Sequence, residues 1–262
     1  MWPNDVRVPL TDYGEIVLGM EPREQKFVGS KALEKMEGQH HFMWTGLSPQ
    51  SAHELEKEVL VGKSVLVENS DGQAERVVAL TVLRVRRDDG QILVVLAKRR
   101  LEGDEGFQPD GQLPGVKQEG GELPSQAVRR MLLGQMRPYA KELRIHSFKL
   151  ENLKEISARF NITTKYIRAI FSAKLPDGFS RGTRVSGLAF HNTGSALFGS
   201  EERKGFFHHR TFAPELHECH ILKDMRGEYL CCFMPPEVVD WMRRTSGRKQ
   251  LANWVANLPP TL

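Results

Sequence analysis

Cysteine is scarce, with three residues in 262: Cys219, Cys231 and Cys232. An odd count that includes an adjacent pair cannot build a disulfide framework, because bridging neighbours strains the link. A reducing compartment is therefore expected. Long apolar runs are missing too: the best candidates, such as 92–97, are strand-sized and far short of the roughly 20 residues that cross a bilayer as a helix. No membrane span is expected. Neither sign of charge dominates, since 37 basic side chains face 33 acidic ones for a net +4, a balance that permits contact with phosphates without requiring it. Residues 1–15 hold three acids, two prolines and no basic amphipathic stretch, so no secretory or transit signal is readable there. Internal repeats and low-complexity tracts are absent. What remains, 40% apolar and 27% charged residues, is the composition of a globular chain and excludes disordered, collagenous and fibrous classes. The length allows one or two domains with a real core.

Residues 1–70 read as a polar N-terminal extension with one strong helix signal. Ser48 is a natural N-cap, Pro49 suits the first turn, and Ala52, Leu55, Val59 and Leu60 recur at helical spacing as far as Gly62. A short strand over 64–68 leads to a turn at Asp71-Gly72. A hairpin then follows, 77–85 and 92–97, in which Asp89-Gly90 supplies the positive backbone angles of a tight turn. A Gly- and acid-rich loop covers 102–111. Residues 124–136 read as an amphipathic helix with Ala127, Met131, Leu132 and Leu133 as its apolar members. Strands are expected over 143–150 and 163–175, and helices over 237–244 and 249–258. The Gly-, Ser- and His-rich stretch 176–215 is too long for an ordinary connection and reads as an insertion or a partner-binding segment. The order of elements implies an α+β fold, divided as an extension 1–70, a main domain 71–245 and a C-terminal helix and tail 246–262.

The segment 113–136, Leu-Pro-Gly-Val-Lys-Gln-Glu-Gly-Gly-Glu-Leu-Pro-Ser-Gln-Ala-Val-Arg-Arg-Met-Leu-Leu-Gly-Gln-Met, resembles the Nudix box. That pattern is Gly, five residues, Glu, seven residues, then Arg-Glu-apolar-x-Glu-Glu. Glu122 falls on its first Glu, Arg130 on its Arg and Leu132 on its apolar position, while Gly115 belongs to the Leu-Pro-Gly that leads in and Glu119 lies within the loop. The resemblance implies an α/β/α sandwich with a mixed sheet, followed loosely over 75–245. It also carries departures. The initial Gly position is Val116, and the three helix carboxylates of the pattern fall on Met131, Gly134 and Gln135. In active members those carboxylates hold the divalent ions, and hard cations require charged oxygen ligands. No acid occurs between Ser125 and Arg137, and Arg129, Arg130 and Arg137 make the helix positive, which repels a cation. No metal, no cofactor and no catalytic residue are therefore expected.

Other clusters are weaker. His208, His209, His217, Cys219 and His220 include zinc-ligand types, but their spacing matches no closed motif. Cys231-Cys232 sits between Tyr229 and Phe233, where cysteine behaves as a small hydrophobe. Lys98, Arg99, Arg100, Arg129, Arg243 and Arg244 are candidates for phosphate or RNA contact, with solvated strand ends and helix faces as the plainer reading.

The resemblance implies a domain without hydrolase chemistry. Nudix-like proteins lacking the carboxylates bind RNA or serve as structural subunits, one of them in the large subunit of the mitochondrial ribosome, which this chain resembles around the box and over 221–230. The expectation is a pseudoenzyme placed among protein subunits, with RNA as a further partner, in the mitochondrial matrix or cytoplasm. A divergent hydrolase acting on nucleoside diphosphate-linked substrates through Glu119 and Glu122, with further acids such as Glu102, Asp104 or Glu105 from the preceding loop, and a nucleotide sensor, are the alternatives.

Overall fold

The computed structural model describes residues 18–38, 48–68, 73–100, 106–157, 159–176 and 219–258. Its architecture is α+β, as expected, and the described residues fall into two compact units. The first draws on 1–82, 116–129 and 148–171, the second on 83–115, 130–147 and 172–262. The proposed turn at Asp71-Gly72 and nearly all of the insertion 176–215 lie outside the described residues. No described helix is long and apolar enough to cross a membrane.

The first unit holds helices α1 (Pro22–Gly38) and α2 (Pro49–Leu60) and strand β1 (Val65–Glu68), followed by β2 (Ala74–Arg86). Helix α2 begins as its sequence requires: the Ser48 side chain accepts from Ser51 N–H at 3.1 Å and Pro49 opens the first turn. Strand β1 runs antiparallel to β2, Val65 opposite Val77 and Glu68 opposite Ala74. Both of its faces are covered. Leu66 joins Leu33, Leu55, Val59, Phe160 and Ile162, while Val65 and Val67 join Val77 and Ile167. Two later strands, β6 (Arg144–Ile156) and β7 (Thr163–Lys174), complete the order β6-β7-β2 in this unit.

Two expectations change here. Helix α1 was not foreseen, because Arg, Glu, Lys and Gln crowd it and, among its described apolar side chains, Leu33 is buried while Phe27 is exposed. Strand β6 runs to residue 156 rather than 150, because an exposed strand tolerates Asn152, Lys154 and Glu155 on either face and so shows no two-residue periodicity.

The second unit is built on β3 (Ile92–Arg100) and β9 (Gly227–Met234), antiparallel partners with Leu93 opposite Phe233 and Val94 opposite Cys232. Leu93 to Ala97, Leu230, Cys231 and Cys232 are all buried, the continuous apolar run expected of a strand covered on both faces. Strand β8 (His220–Asp224) pairs with β9. The hairpin turn before β3 differs from expectation, since only Gly90 has positive φ, at 84°. Gly90 N–H donates to Arg87 O and Arg87 N–H to Gln91 O, a four-residue turn closed by one left-handed glycine. Part of the supposed acidic loop is strand β4 (Gln108–Gln112), which pairs with β3 and places Pro109 opposite Ala97; proline is accommodated because it needs no ladder donor at an edge. Short β5 (Gly115–Lys117) follows, its last two residues belonging to the first unit. The closing helices are α4 (Pro236–Met242) and α5 (Thr245–Ala256), the latter starting four residues before its sequence signal.

Between β8 and β9 the backbone comes very close to β3. A Cβ on Gly227 would stand 2.1 Å from Arg99 O, whereas one on Gly106 meets nothing within 4 Å. Gly227→Ala should therefore cost about 3 kcal/mol in urea unfolding through forced backbone displacement, and Gly106→Ala should leave the midpoint within error.

Candidate functional site

The box segment begins in the first unit, where the structure builds a closed turn. Glu122 N–H donates to Glu119 O at 2.9 Å, and Glu122 Oε2 accepts from Glu119 N–H at 3.0 Å. Gly121 has φ of 75°, and a Cβ there would lie 2.9 Å from Pro22 Cγ, so only glycine fits. Gln118 ties the loop to β2, donating from its backbone to Ala79 O at 3.0 Å and from Nε2 to Thr81 Oγ1 at 2.9 Å. Beside this loop is a recess of about 30 Å³ lined in part by Gln25, Lys63, Gln118, Glu119 and Glu122, room for a single water.

Adjoining the loop is a partly buried ionic cluster that sequence reading missed. Glu58 on α2 accepts from Arg76 Nη2 at 2.5 Å and from Lys117 Nζ at 2.6 Å. Arg159 also approaches Glu58, at 3.8 Å, and pairs with Glu54. Arg76 lies 4.9 Å from the centre of the Phe160 ring. Burial opposes ionisation of Glu58, but the charges of Arg76 and Lys117 outweigh it and hold its pKa below the ordinary carboxylate value. For Lys117, burial comes first and repulsion from Arg76 second; against the attraction of Glu58, they bring the amine down to about 8. No local signal marks the cluster, because its members come from residues 58, 76, 117 and 159.

The remainder of the box begins helix α3 (Pro124–Leu133) in the first unit and continues into the second. The helix is shorter than 124–136: Gly134 follows its last residue, and Met136 N–H closes a wide turn onto Met131 O at 2.8 Å. Ala127, Val128 and Met131 are buried, whereas Leu133, expected on the apolar face, is exposed. At the three carboxylate positions of the pattern stand a thioether, a missing side chain and an amide. Met131 and Gln135 are 1% and 3% exposed. Two of these positions thus face packed interior and all three are neutral, so the residues do not fit a divalent cation. A Cβ on Gly134 would lie 3.8 Å from Asp224 Oδ2. That carboxylate caps the β8–β9 turn, its Oδ1 accepting from Arg226 N–H at 2.8 Å, Gly227 N–H at 3.2 Å and Tyr229 Oη at 3.2 Å.

Several candidate cations of the second unit already have carboxylate partners. Lys98 donates to Asp110 at 2.7 Å. Arg99 pairs with Glu228 and lies over Phe107, while Lys223 reaches the same Glu228 at 2.5 Å. Burial disfavours the Glu228 charge, but these hydrogen bonds prevail and keep its pKa low. Arg243 stands 3.9 Å from Asp240. Arg100, Arg129 and Arg244 are exposed, and Arg130 is half-buried.

Of the histidine-cysteine cluster, His208, His209 and His217 lie outside the described residues, whereas Cys219 and His220 are buried. His220 Nε2 and Tyr139 Oη form a buried hydrogen bond of 2.5 Å, and Phe233 packs against both rings. Burial, with the Arg87 charge second, lowers His220 to about 4. No group of three or more His, Cys, Asp or Glu suited to a metal occurs among the described residues.

No family model matches this chain, and no curated protein matches it. Solved structures give partial likenesses. A Nudix hydrolase from M. smegmatis is 21% identical over 42% of this chain and 68% of its own, with TM-score 0.24. The Ap4A hydrolase of C. elegans is 22% identical over 37% and 69%, with TM-score 0.23. An ADP compounds hydrolase is 14% identical over 45% and 63%, with TM-score 0.25. The functional reading accordingly rests on the residues of this chain.

Two measurements test the buried groups. Glu58→Gln leaves the Arg76 guanidinium buried without its counter-charge and should destabilise by about 3–5 kcal/mol in chemical unfolding. His220 binds its proton less readily when folded, with a pKa of about 4 against 6.5, so the unfolded chain takes up more protons between those values. Its contribution should be complete above pH 6.5 and fall by about 3 kcal/mol as pH drops to 4; His220→Phe should flatten that part of the stability profile.

Proposed function

We propose that this chain is a Nudix-like domain without pyrophosphohydrolase chemistry, acting as a binding or structural subunit of a larger assembly. The observation that carries the reading is the state of positions 131, 134 and 135. Where the pattern needs three ionised oxygens around a cation, the chain puts two buried neutral side chains, Met131 and Gln135, and a glycine. Burial of Met131 contributes to the core, and a carboxylate in its place would require desolvation of a charge. Glu122, the remaining acid of the pattern, accepts a backbone hydrogen bond within its own loop. The partners proposed are protein subunits, with RNA as a further one, as in a ribonucleoprotein of the mitochondrial or cytoplasmic compartment. Three buried cysteines without a disulfide accord with reducing surroundings.

Purified protein incubated with Mg²⁺ or Mn²⁺ and a panel of nucleoside diphosphate compounds should give no turnover above the buffer rate. Turnover abolished by Glu122→Gln would replace this reading with a divergent hydrolase. Size-exclusion of native extract should carry the chain with protein subunits or RNA far above its 29.8 kDa, and a free monomer at physiological salt would count against the assembly.

A further inference from the structure

We infer that β6 is a self-complementary sheet edge through which two copies of this chain pair. In the first unit it ends the strand order, and β7 is its partner there among the described strands. The stretch 148–156 of β6 is almost wholly exposed on both faces. It carries four large apolar side chains, Phe148, Leu150, Leu153 and Ile156, at 50%, 56%, 42% and 68% exposure. Proteins ordinarily shield such an edge, because a row of outward backbone donors and acceptors beside apolar side chains is a template for another strand. No apolar residue of β1, β2 or β7 is exposed, which sets β6 apart.

The occupant follows from the order of charges. Two strands related by a two-fold axis pair antiparallel, and residues equidistant from one central residue then face each other. Centred on Asn152, Phe148 faces Ile156 of the second copy and Lys149 faces its Glu155, each pair occurring twice. Leu150 then lies along the Lys154 stem, and Glu151 faces Leu153. This register sets no like charges opposite each other over nine residues. Moving the centre to Glu151 opposes that carboxylate to itself, and centring on Leu153 opposes Glu151 to Glu155, both unfavourable. Centring on Leu150 places His146 against Lys154 and buries Ile145 against Glu155. Within each copy Lys149 pairs with Glu151, which Arg168 also approaches at 3.6 Å, and Lys154 reaches Glu75 at 2.6 Å. Phe148 already packs on Phe171 with ring centres 5.0 Å apart, and Ile156 of the second copy would extend that contact. A single strand pair is a small interface, so a weak dimer is expected, with Kd on the order of tens of micromolar. This inference concerns the purified chain alone and does not depend on the proposed function.

Sedimentation of the full chain across its attainable concentration range tests it. Reversible dimerisation is expected. Lys149→Glu and Glu155→Lys should each weaken it at least tenfold, and combining them should restore it, because the swap recreates the same opposed pairs in that register alone. Amide exchange on the unaltered protein should slow over residues 148–156 as concentration rises, a readout that needs no variant. A monomer at every concentration, a dimer indifferent to both charge reversals, or slowing confined to another element would overturn the inference.

Discussion

A half-buried carboxylate gripped by two cations, one of them fully buried, ties together three elements of the first unit. Glu58 comes from α2, Arg76 from β2 and Lys117 from β5, so one cluster ties three separate stretches of chain. Buried charges are costly to desolvate, and such a cluster persists only when each member supplies the other's compensation. The requirement is steep: Arg76 is 2% exposed, leaving water little part in solvating it. Helix α2 must therefore dock where Glu58 reaches Arg76, and the strand leading into the box must lie where Lys117 reaches Glu58. The apolar contacts of Leu55, Val59 and Leu66 supply area, while the ions supply orientation.

The same segment illustrates a competition between packing and chemistry. A metal-binding helix must keep several carboxylates ionised and accessible, which conflicts with burying the face that carries them. In this chain the conflict is settled toward packing at Met131 and Gln135. The acid that comes near the box in the second unit, Asp224, spends its oxygens on backbone and tyrosine donors of a hairpin turn. Charge elsewhere follows a similar rule. Lys98 and Arg99 look like a basic patch in one dimension, yet each is joined to a carboxylate from another strand, Asp110 and Glu228.

Legibility varied with how local the cause was. Ser48 and Pro49 marked α2 correctly because capping acts within one turn. The β2–β3 hairpin was legible because its strands are apolar and Gly90 is the residue its turn needs. Helix α1 escaped because its stability comes from packing against β1 rather than from an amphipathic stripe, and β4 because Pro109 and Gly111 disguise a strand held by its neighbour. The ending of α3 at Leu133 and the exposure of Leu133 depended on which face met the interior, and periodicity allowed more than one answer.

The sequence by itself determined the α+β class, most of the strands and the neutral character of positions 131, 134 and 135, since these follow from residue type and short-range spacing. Tertiary structure alone decided that Glu58 would gather Arg76 and Lys117, that His220 would be buried against Tyr139, and that Met131 and Gln135 would face inward. The reason is physical. Burial and ion pairing depend on distances between atoms, and residues 18, 59 or 81 positions apart acquire those distances only when strands and helices pack.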